Sequence, residues 1–170
     1  MTRCDWIICE RSNRWAAALR LAGERDTAAG GVCHRFREVR SLSELPPELA
    51  RQPASLIALE VSERNLIAVL AWLSAALRRF PQLRCVALLD RSLSSANQSD
   101  RSRDKNSQRD IAVALREAGA WEVVESPRRL EPLLQFARRH ANVAARHDAF
   151  LAENRPFTER VWATLPWQPA

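Results

Sequence analysis

Apolar residues along the chain are concentrated in five short runs, at residues 6–9, 33–39, 56–61, 85–90 and 121–124. The first and third runs are almost uninterrupted, which is typical of strands buried on both faces of a parallel sheet. The second has arginines at alternate positions and is expected to form a more exposed strand. The pattern therefore predicts five β-strands.

Between these runs, apolar positions recur at the three- and four-residue spacing of an amphipathic helix. The first helix is predicted to start after Ser12 or Asn13, either of which can cap it. Further helices are predicted as a short segment from residue 41, at about 63–79, at about 111–118, and from Pro127 onward. Alternating strands and helices predict an α/β fold in three layers, with a five-stranded parallel sheet in the flavodoxin-like order 2-1-3-4-5.

Two segments lie outside this alternation. Residues 91–109 are almost all Ser, Asn, Gln, Asp, Lys and Arg, so we expect an insertion, mobile or disordered, in a domain spanning residues 1–140. Residues 141–170 are expected to form a C-terminal helical extension and a tail. The tail's apolar residues share one side of a short helix ending at Pro166: Phe157, Val161, Trp162, Leu165 and Trp167. They are expected either to fold back on this domain or a second copy, or to bind another protein.

The composition indicates a globular protein and not a membrane-spanning or secreted one. The chain has 170 residues, 46% of them hydrophobic, which suits one globular domain. No apolar run approaches the roughly 20 residues of a membrane-spanning helix, and the N-terminus lacks the apolar core of a signal peptide. We therefore predict a cytoplasmic protein without membrane contact.

The formal net charge is +6 and the pI is about 10.3, which raises the question of a nucleic-acid partner. The arginines are scattered over several helices and interleaved with glutamates, which favours solvated surfaces over a binding patch. The four cysteines, Cys4, Cys9, Cys33 and Cys85, lack metal-ligand spacing and are expected to be reduced core thiols.

Residues 116–127 read Arg-Glu-Ala-Gly-Ala-Trp-Glu-Val-Val-Glu-Ser-Pro, which predicts a helix end, a turn at Gly119, a short strand and a proline before the next helix. This stretch resembles the last strand–helix unit of the response-regulator receiver (CheY-like) family, in which Ala-Gly-Ala precedes the strand and Lys-Pro follows it. The resemblance extends over about residues 4–140 in the order and spacing of elements. It implies a crevice at the carboxyl ends of the strands.

In that family the crevice holds an acidic pair that binds magnesium, a phosphorylated aspartate, a threonine or serine, a switching aromatic residue and the lysine of Lys-Pro. The resemblance places at these positions, in order, Glu10 with Arg11, Glu60, Asp90, Val123, and Ser126 before Pro127. Arg11 would repel a divalent cation, Asp90 adds negative charge, and Ser126 lacks the lysine's positive charge. The resemblance therefore implies a degenerate pseudo-receiver that is not phosphorylated, is not an enzyme and uses no cofactor.

Alternatives remain for the acidic residues. The longer side chain of Glu60 could mimic a phosphorylated aspartate permanently, although loss or change of the crevice's role is favoured. A metal ion bound by Glu10 and Glu60 is a minor alternative to no metal at all. An ion pair of Arg11 with Glu60 or Asp90 is the favoured arrangement.

Other enzyme motifs are missing from the sequence, including a glycine-rich phosphate loop and a nucleophile elbow. We therefore expect a stand-alone protein-interaction module of bacterial two-component signal transduction. It would contact protein partners, or a second copy in a homodimer, through the face of helix 4, strand 5 and helix 5 and through the tail. The alternatives are a basic nucleic-acid-binding regulatory protein that uses residues 101–109, and a small-ligand sensor that uses the altered crevice.

Overall fold

A computed structural model describes residues 2–53, 55–90, 93 and 101–163, with the side chains of 101–107, 148 and 154–163 excluded. In these ranges strands and helices alternate. The strands are β1 (Arg3–Cys9), β2 (Cys33–Val39), β3 (Leu56–Val61), β4 (Arg84–Leu89) and β5 (Ala120–Val124). The helices are α1 (Arg14–Ala28), α2 (Leu45–Arg51), α3 (Leu66–Arg79), α4 (Arg101–Glu117) and α5 (Glu131–Ala163), and a 3₁₀ turn at Leu42–Glu44 precedes α2. None of the helices in these ranges is both long and apolar enough to cross a bilayer.

The five strands form one parallel sheet in the order β2-β1-β3-β4-β5, which confirms the predicted fold class. One register row crosses the sheet from Val39 through Cys9, Leu59 and Ala87 to Val123. Because the strands are parallel and in step, their carboxyl ends meet along one edge. The loops that follow β1, β3 and β4 are therefore brought together there.

Side chains on the two faces of the sheet pack into two separate cores, since neighbouring residues of a strand point in opposite directions. Ile7 lies in the core that α2, α3 and α4 cover, with Leu49 and Leu73. Trp6 lies in the other core, under α1 and α5, with Trp15 and with α5 residues such as Leu133. The sheet is thus covered on both faces, as a parallel sheet with apolar central strands requires.

The turn between α4 and β5 has the conformation that the sequence predicts. Gly119 has a φ of 111°, which L-residues rarely adopt. A Cβ atom at this position would also collide with Cδ1 of Leu77 on α3. Only glycine allows α4 to stop here and β5 to enter the sheet.

The helices differ from the predicted ones at three points. Helix α1 starts at Arg14 as predicted, but Asn13 makes no side-chain cap and has a φ of 58°. Helix α4 begins at Arg101, so the prediction of disorder is wrong for residues 101–109; this stretch lacks Pro and Gly and contains good helix formers. Helix α5 begins at Glu131 rather than at Pro127, which lies in a turn. The rest of the predicted insertion, residues 91–100 apart from Leu93, lies outside the described residues.

Helix α5 runs for 33 residues, so the predicted helical extension is continuous with the helix that packs on the sheet. Its first half is anchored in the core by Leu133, Ala137 and Ala141. Beyond that point Val143 and Phe150 are 65% and 62% exposed. The side chains of the predicted tail residues lie outside the described part of the chain.

Candidate functional site

The carboxyl ends of β1, β3 and β4 line a cavity of about 750 Å³, which we call the crevice. Four of the predicted site residues lie in its wall: Glu10, Arg11, Glu60 and Asp90. The structure therefore brings together the part of the predicted site that comes from these three strands. Glu10, Arg11 and Asp90 follow their strands and Glu60 is the penultimate residue of β3, so the predicted strand ends together with the receiver resemblance were enough to find them.

Glu10 caps helix α1 from inside the protein. Glu10 is only 2% exposed. Its two carboxylate oxygens accept hydrogen bonds from the backbone N–H groups of Trp15 at 2.9 Å and Ala16 at 2.8 Å. A negative charge is favourable there because the first N–H groups of a helix have no partners within it and carry a partial positive charge. Glu10 thus caps the helix where the sequence predicted Ser12 or Asn13, and the hydroxyl of Ser12 adds one hydrogen bond from the backbone N–H of Arg14 at 3.3 Å.

Glu60 ties the end of β3 to the loop after β1. One carboxylate oxygen accepts a hydrogen bond from the backbone N–H of Arg11 at 2.7 Å. The other accepts one from the hydroxyl of Ser12 at 2.5 Å. Both oxygens of the residue at the position of the family's phosphorylated aspartate are therefore hydrogen-bonded within the protein.

The loop after β3 is held just as firmly. The side-chain oxygen of Asn65 accepts a hydrogen bond from the backbone N–H of Ser62 at 2.8 Å, and its side-chain nitrogen donates to the carbonyl oxygen of Glu60 at 2.9 Å. The backbone N–H of Asp90 donates to the carbonyl oxygen of Val61 at 2.8 Å, which joins the end of β4 to this loop. The loops around the crevice are therefore joined to one another by hydrogen bonds.

The hydrogen bonds of Glu10 and Glu60 disfavour a metal ion in the crevice. Among the described residues, no group of three or more His, Cys, Asp or Glu side chains has the arrangement of a metal site. A cation bound by Glu10 and Glu60 would have to compete with the helix amides and with the β1–α1 loop for the same oxygens. Arg11 reaches Glu60 through its backbone N–H, and the expected ion pair between these two side chains is not present.

Three predicted site residues lie elsewhere. Val123 and Ser126 line a second cavity, of about 900 Å³, at the end of β5, and Pro127 lies in a groove between α1 and α5. Strands β3 and β5 are separated by β4, so their ends are about 10 Å apart. The side chain of serine is too short to span that distance, and the single crevice expected from the resemblance is divided.

A buried polar cluster that sequence analysis missed holds the other end of α1. The indole N–H of Trp6 donates to Nδ1 of His34 at 3.0 Å, so the neutral ring carries its proton on Nε2 and donates it to Asp26, 2.8 Å away. The second carboxylate oxygen of Asp26 pairs with Arg138 of α5. The only signal in the sequence is that His34 and Phe36 alternate with arginines on β2, which places His34 on an inner face.

Burial governs the chemistry of this cluster and of the thiols. The side chains of His34 and Asp26 are 1% and 0% exposed, and this burial lowers the pKa of His34. All four cysteines are unpaired, and burial raises the pKa of Cys4 and Cys85 to about 12. Thiols that stay protonated are poor nucleophiles. The prediction of core thiols holds for Cys4, Cys9 and Cys85, whereas Cys33 is only partly buried.

Known proteins resemble this chain in structure but not in sequence. No family model and no curated protein sequence matches the chain. A response regulator from Thermotoga maritima superposes on 84% of this chain and 99% of its own, with a TM-score of 0.59 and 17% identity. A CheY-like protein, tadZ, from Pseudomonas aeruginosa PAO1 covers 79% of this chain and 92% of its own, with a TM-score of 0.54 and 15% identity.

This chain has the receiver fold. The resemblance seen in the sequence is confirmed at the level of the fold, with the sheet order that it implied. At such low identities the likeness extends no further.

Proposed function

We propose that this receiver-like domain is a protein-interaction module of bacterial signal transduction, working in the cytoplasm without being phosphorylated. The observation that carries the proposal is the state of Glu60, whose two oxygens accept hydrogen bonds from Arg11 and Ser12. A carboxylate must offer a lone pair to attack phosphorus. The hydrogen bonds from Arg11 and Ser12 withdraw electron density from both oxygens and so make Glu60 a weaker nucleophile.

The charges around Glu60 support the same conclusion. Asp90 lines the crevice beside it and would repel an incoming phosphoryl group. Ser126, at the position of the family's lysine, lies in the second cavity, so no cation from β5 stabilises charge on the phosphoryl oxygens. With its chemistry lost, the domain would act through its surfaces.

The surface best suited to binding is formed by α4, β5 and α5. Strand β5 is an edge strand of the sheet, and Trp121 on it is 58% exposed. Trp121 stacks on Phe136 of α5, with 4.9 Å between ring centroids, and Val143 lies further along the same helix. Exposed aromatic and aliphatic side chains that cluster in this way are typical of binding hot spots. We propose that a second copy of the chain binds this face.

Two experiments test the proposal. The purified protein is incubated with acetyl phosphate and magnesium, and its intact mass is measured; we expect no added phosphoryl group, whereas a stable adduct on Glu60 would refute the proposal. Sedimentation equilibrium then compares the wild type with Val143→Glu and with the control Ile67→Glu, which alters a 77% exposed residue of α3. We expect a dimer that Val143→Glu alone dissociates.

The predicted tail remains a second candidate contact. Truncation after Asn154 removes Phe157, Val161, Trp162, Leu165 and Trp167 together. A tail that packs on its own domain would make the truncated protein less stable. A tail that binds a partner would leave the melting temperature unchanged and weaken association, which is the result we expect.

A further inference from the structure

The second cavity, of about 900 Å³, lies between the start of α1, the end of β5 and the start of α5. It shares no lining residue with the crevice. Three arginines, Arg14, Arg128 and Arg129, contribute to its wall together with Ser126. The wall of this cavity holds three arginines and two glutamates, whereas the wall of the crevice holds three arginines and four carboxylates.

The three arginines lack the ion pairs that other arginines of the described chain make. Arg20 and Arg37, for example, pair with glutamates at 2.6 and 2.7 Å. One guanidinium nitrogen of Arg14 is buried and has no hydrogen-bond partner among the described residues; the group lies over the ring of Trp15, 5.1 Å from its centroid. A buried donor without an acceptor is unfavourable, so a ligand that drew this guanidinium group into the cavity and accepted its hydrogen bond would remove that cost.

Acidic residues of the wall do not cancel this charge. Glu122 is already paired with Arg116 at 3.0 Å, and the same oxygen accepts a hydrogen bond from the backbone N–H of Val123. Glu125 leaves one negative charge against the three arginines of the wall. The hydroxyl of Ser126 accepts a hydrogen bond from the backbone N–H of Arg128 at 3.3 Å, which leaves its own hydrogen available to donate. The cavity therefore offers positive charge and hydrogen-bond donors.

We propose that this cavity binds a small organic phosphate, whose phosphate group lies between the guanidinium groups of Arg14, Arg128 and Arg129 and the hydroxyl of Ser126. Guanidinium groups match the geometry of phosphate oxygens and bind them with paired, charge-assisted hydrogen bonds. The volume is that of a small-molecule site rather than of a single ion. Val123, Pro132 and Leu133 give the rest of the ligand an apolar wall. This site goes beyond the protein-binding role proposed above and does not depend on it.

Isothermal titration calorimetry on the full chain tests the site, with three probes: inorganic phosphate, pyrophosphate and GDP. We expect binding with a Kd below about 1 mM that weakens when the salt concentration rises from about 50 to 200 mM. Tighter binding of GDP than of pyrophosphate would identify an organic phosphate as the ligand. Equal binding of all three probes would overturn that assignment.

Matched variants locate the binding. Arg128 and Arg129 are exposed, so replacing both with Gln should not disturb folding; we expect the Kd for GDP to rise at least about tenfold. Arg14→Gln should have a similar effect, with the melting temperature measured alongside it. Arg64→Gln, in the crevice, and Arg35→Gln, on β2, should leave the Kd unchanged. Failure of every probe to bind, or an equal loss in Arg64→Gln, would overturn the proposal.

Discussion

Helix α1 is held at both ends by a buried carboxylate, but by two different kinds of contact. At its N-terminus Glu10 accepts hydrogen bonds from two backbone N–H groups of the helix itself. Near its C-terminus Asp26 bonds side chains from other elements, His34 of β2 and Arg138 of α5. The first contact is local in sequence, and the second joins residues that are 112 positions apart.

The contacts of Glu10 bear on the crevice as well, because the carboxylates there accept hydrogen bonds from the protein itself. In the receiver family, acidic residues at the ends of β1 and β3 serve magnesium and phosphoryl transfer. Here Glu10 and Glu60 stabilise α1 and the loop before it. Carboxylates that accept structural hydrogen bonds are less available to a cation or to phosphorus. Of the two cavities, the second is the one in which arginines outnumber carboxylates.

The largest effect is expected from Asp26→Ala, because it leaves Arg138 and His34 without their partner in a buried site. Removing one member of a buried pair costs about 3–5 kcal/mol; since Arg138 is 39% exposed, we expect a loss of about 3 kcal/mol in the free energy of unfolding. Urea denaturation measures it. Asp5→Ala is the control, since the pair of Asp5 with Arg3 is partly exposed and should contribute less than about 1 kcal/mol. Equal losses of unfolding free energy in both variants would contradict the prediction that the buried pair contributes more than the exposed one.

Glu10→Ala should cost about 2 kcal/mol, the upper range for loss of a helix cap, since the residue is also buried. Glu10→Gln keeps one acceptor oxygen and should cost less. Hydrogen exchange of the amides of Trp15 and Ala16 should accelerate in both variants. Glu24→Ala, on the exposed side of the same helix, should change neither quantity.

Glu60→Gln and Glu60→Ala should each lower the free energy of unfolding by about 1 kcal/mol, since each removes at least one hydrogen bond to the β1–α1 loop. Neither should alter the dissociation constant of the dimer, because Glu60 lies away from the α4–β5–α5 face. A weaker dimer in both variants would support permanent mimicry of a phosphorylated state. Glu63→Ala, at an exposed position in the same crevice, serves as the control.

The smallest expected effect is a dependence of stability on pH through His34. Burial lowers the pKa of His34, so the unfolded chain takes up the proton first as the pH falls. The contribution of neutral His34 is complete above the unfolded pKa of about 6.5 and is lost as the pH falls through that value towards the lowered native one. Unfolding free energies at about pH 7.5 and 5.5 should differ more in the wild type than in His34→Gln. His147→Gln, at an exposed position, should retain the wild-type difference.

The sequence by itself determined the fold. Five apolar runs alternating with amphipathic segments permit few arrangements, and Gly119 and the strand after it identified the receiver resemblance because only glycine suits that turn. The sequence also placed Glu10, Glu60 and Asp90 at the carboxyl edge of the sheet, because the carboxyl ends of parallel strands meet at one edge. These features depend on contacts between near neighbours and on the periodicity of the chain.

Only the tertiary structure decided what those residues do. Whether a carboxylate at a strand end meets a cation, an arginine side chain or a backbone N–H depends on sub-ångström placement of a loop, and Glu10 and Glu60 both met hydrogen-bond donors of the β1–α1 segment. The pairing of Asp26 with Arg138 and the gathering of Arg14 with Arg128 and Arg129 join distant parts of the chain. No local pattern records such contacts, because the residues become neighbours only when α1 and α5 pack on the same face of the sheet.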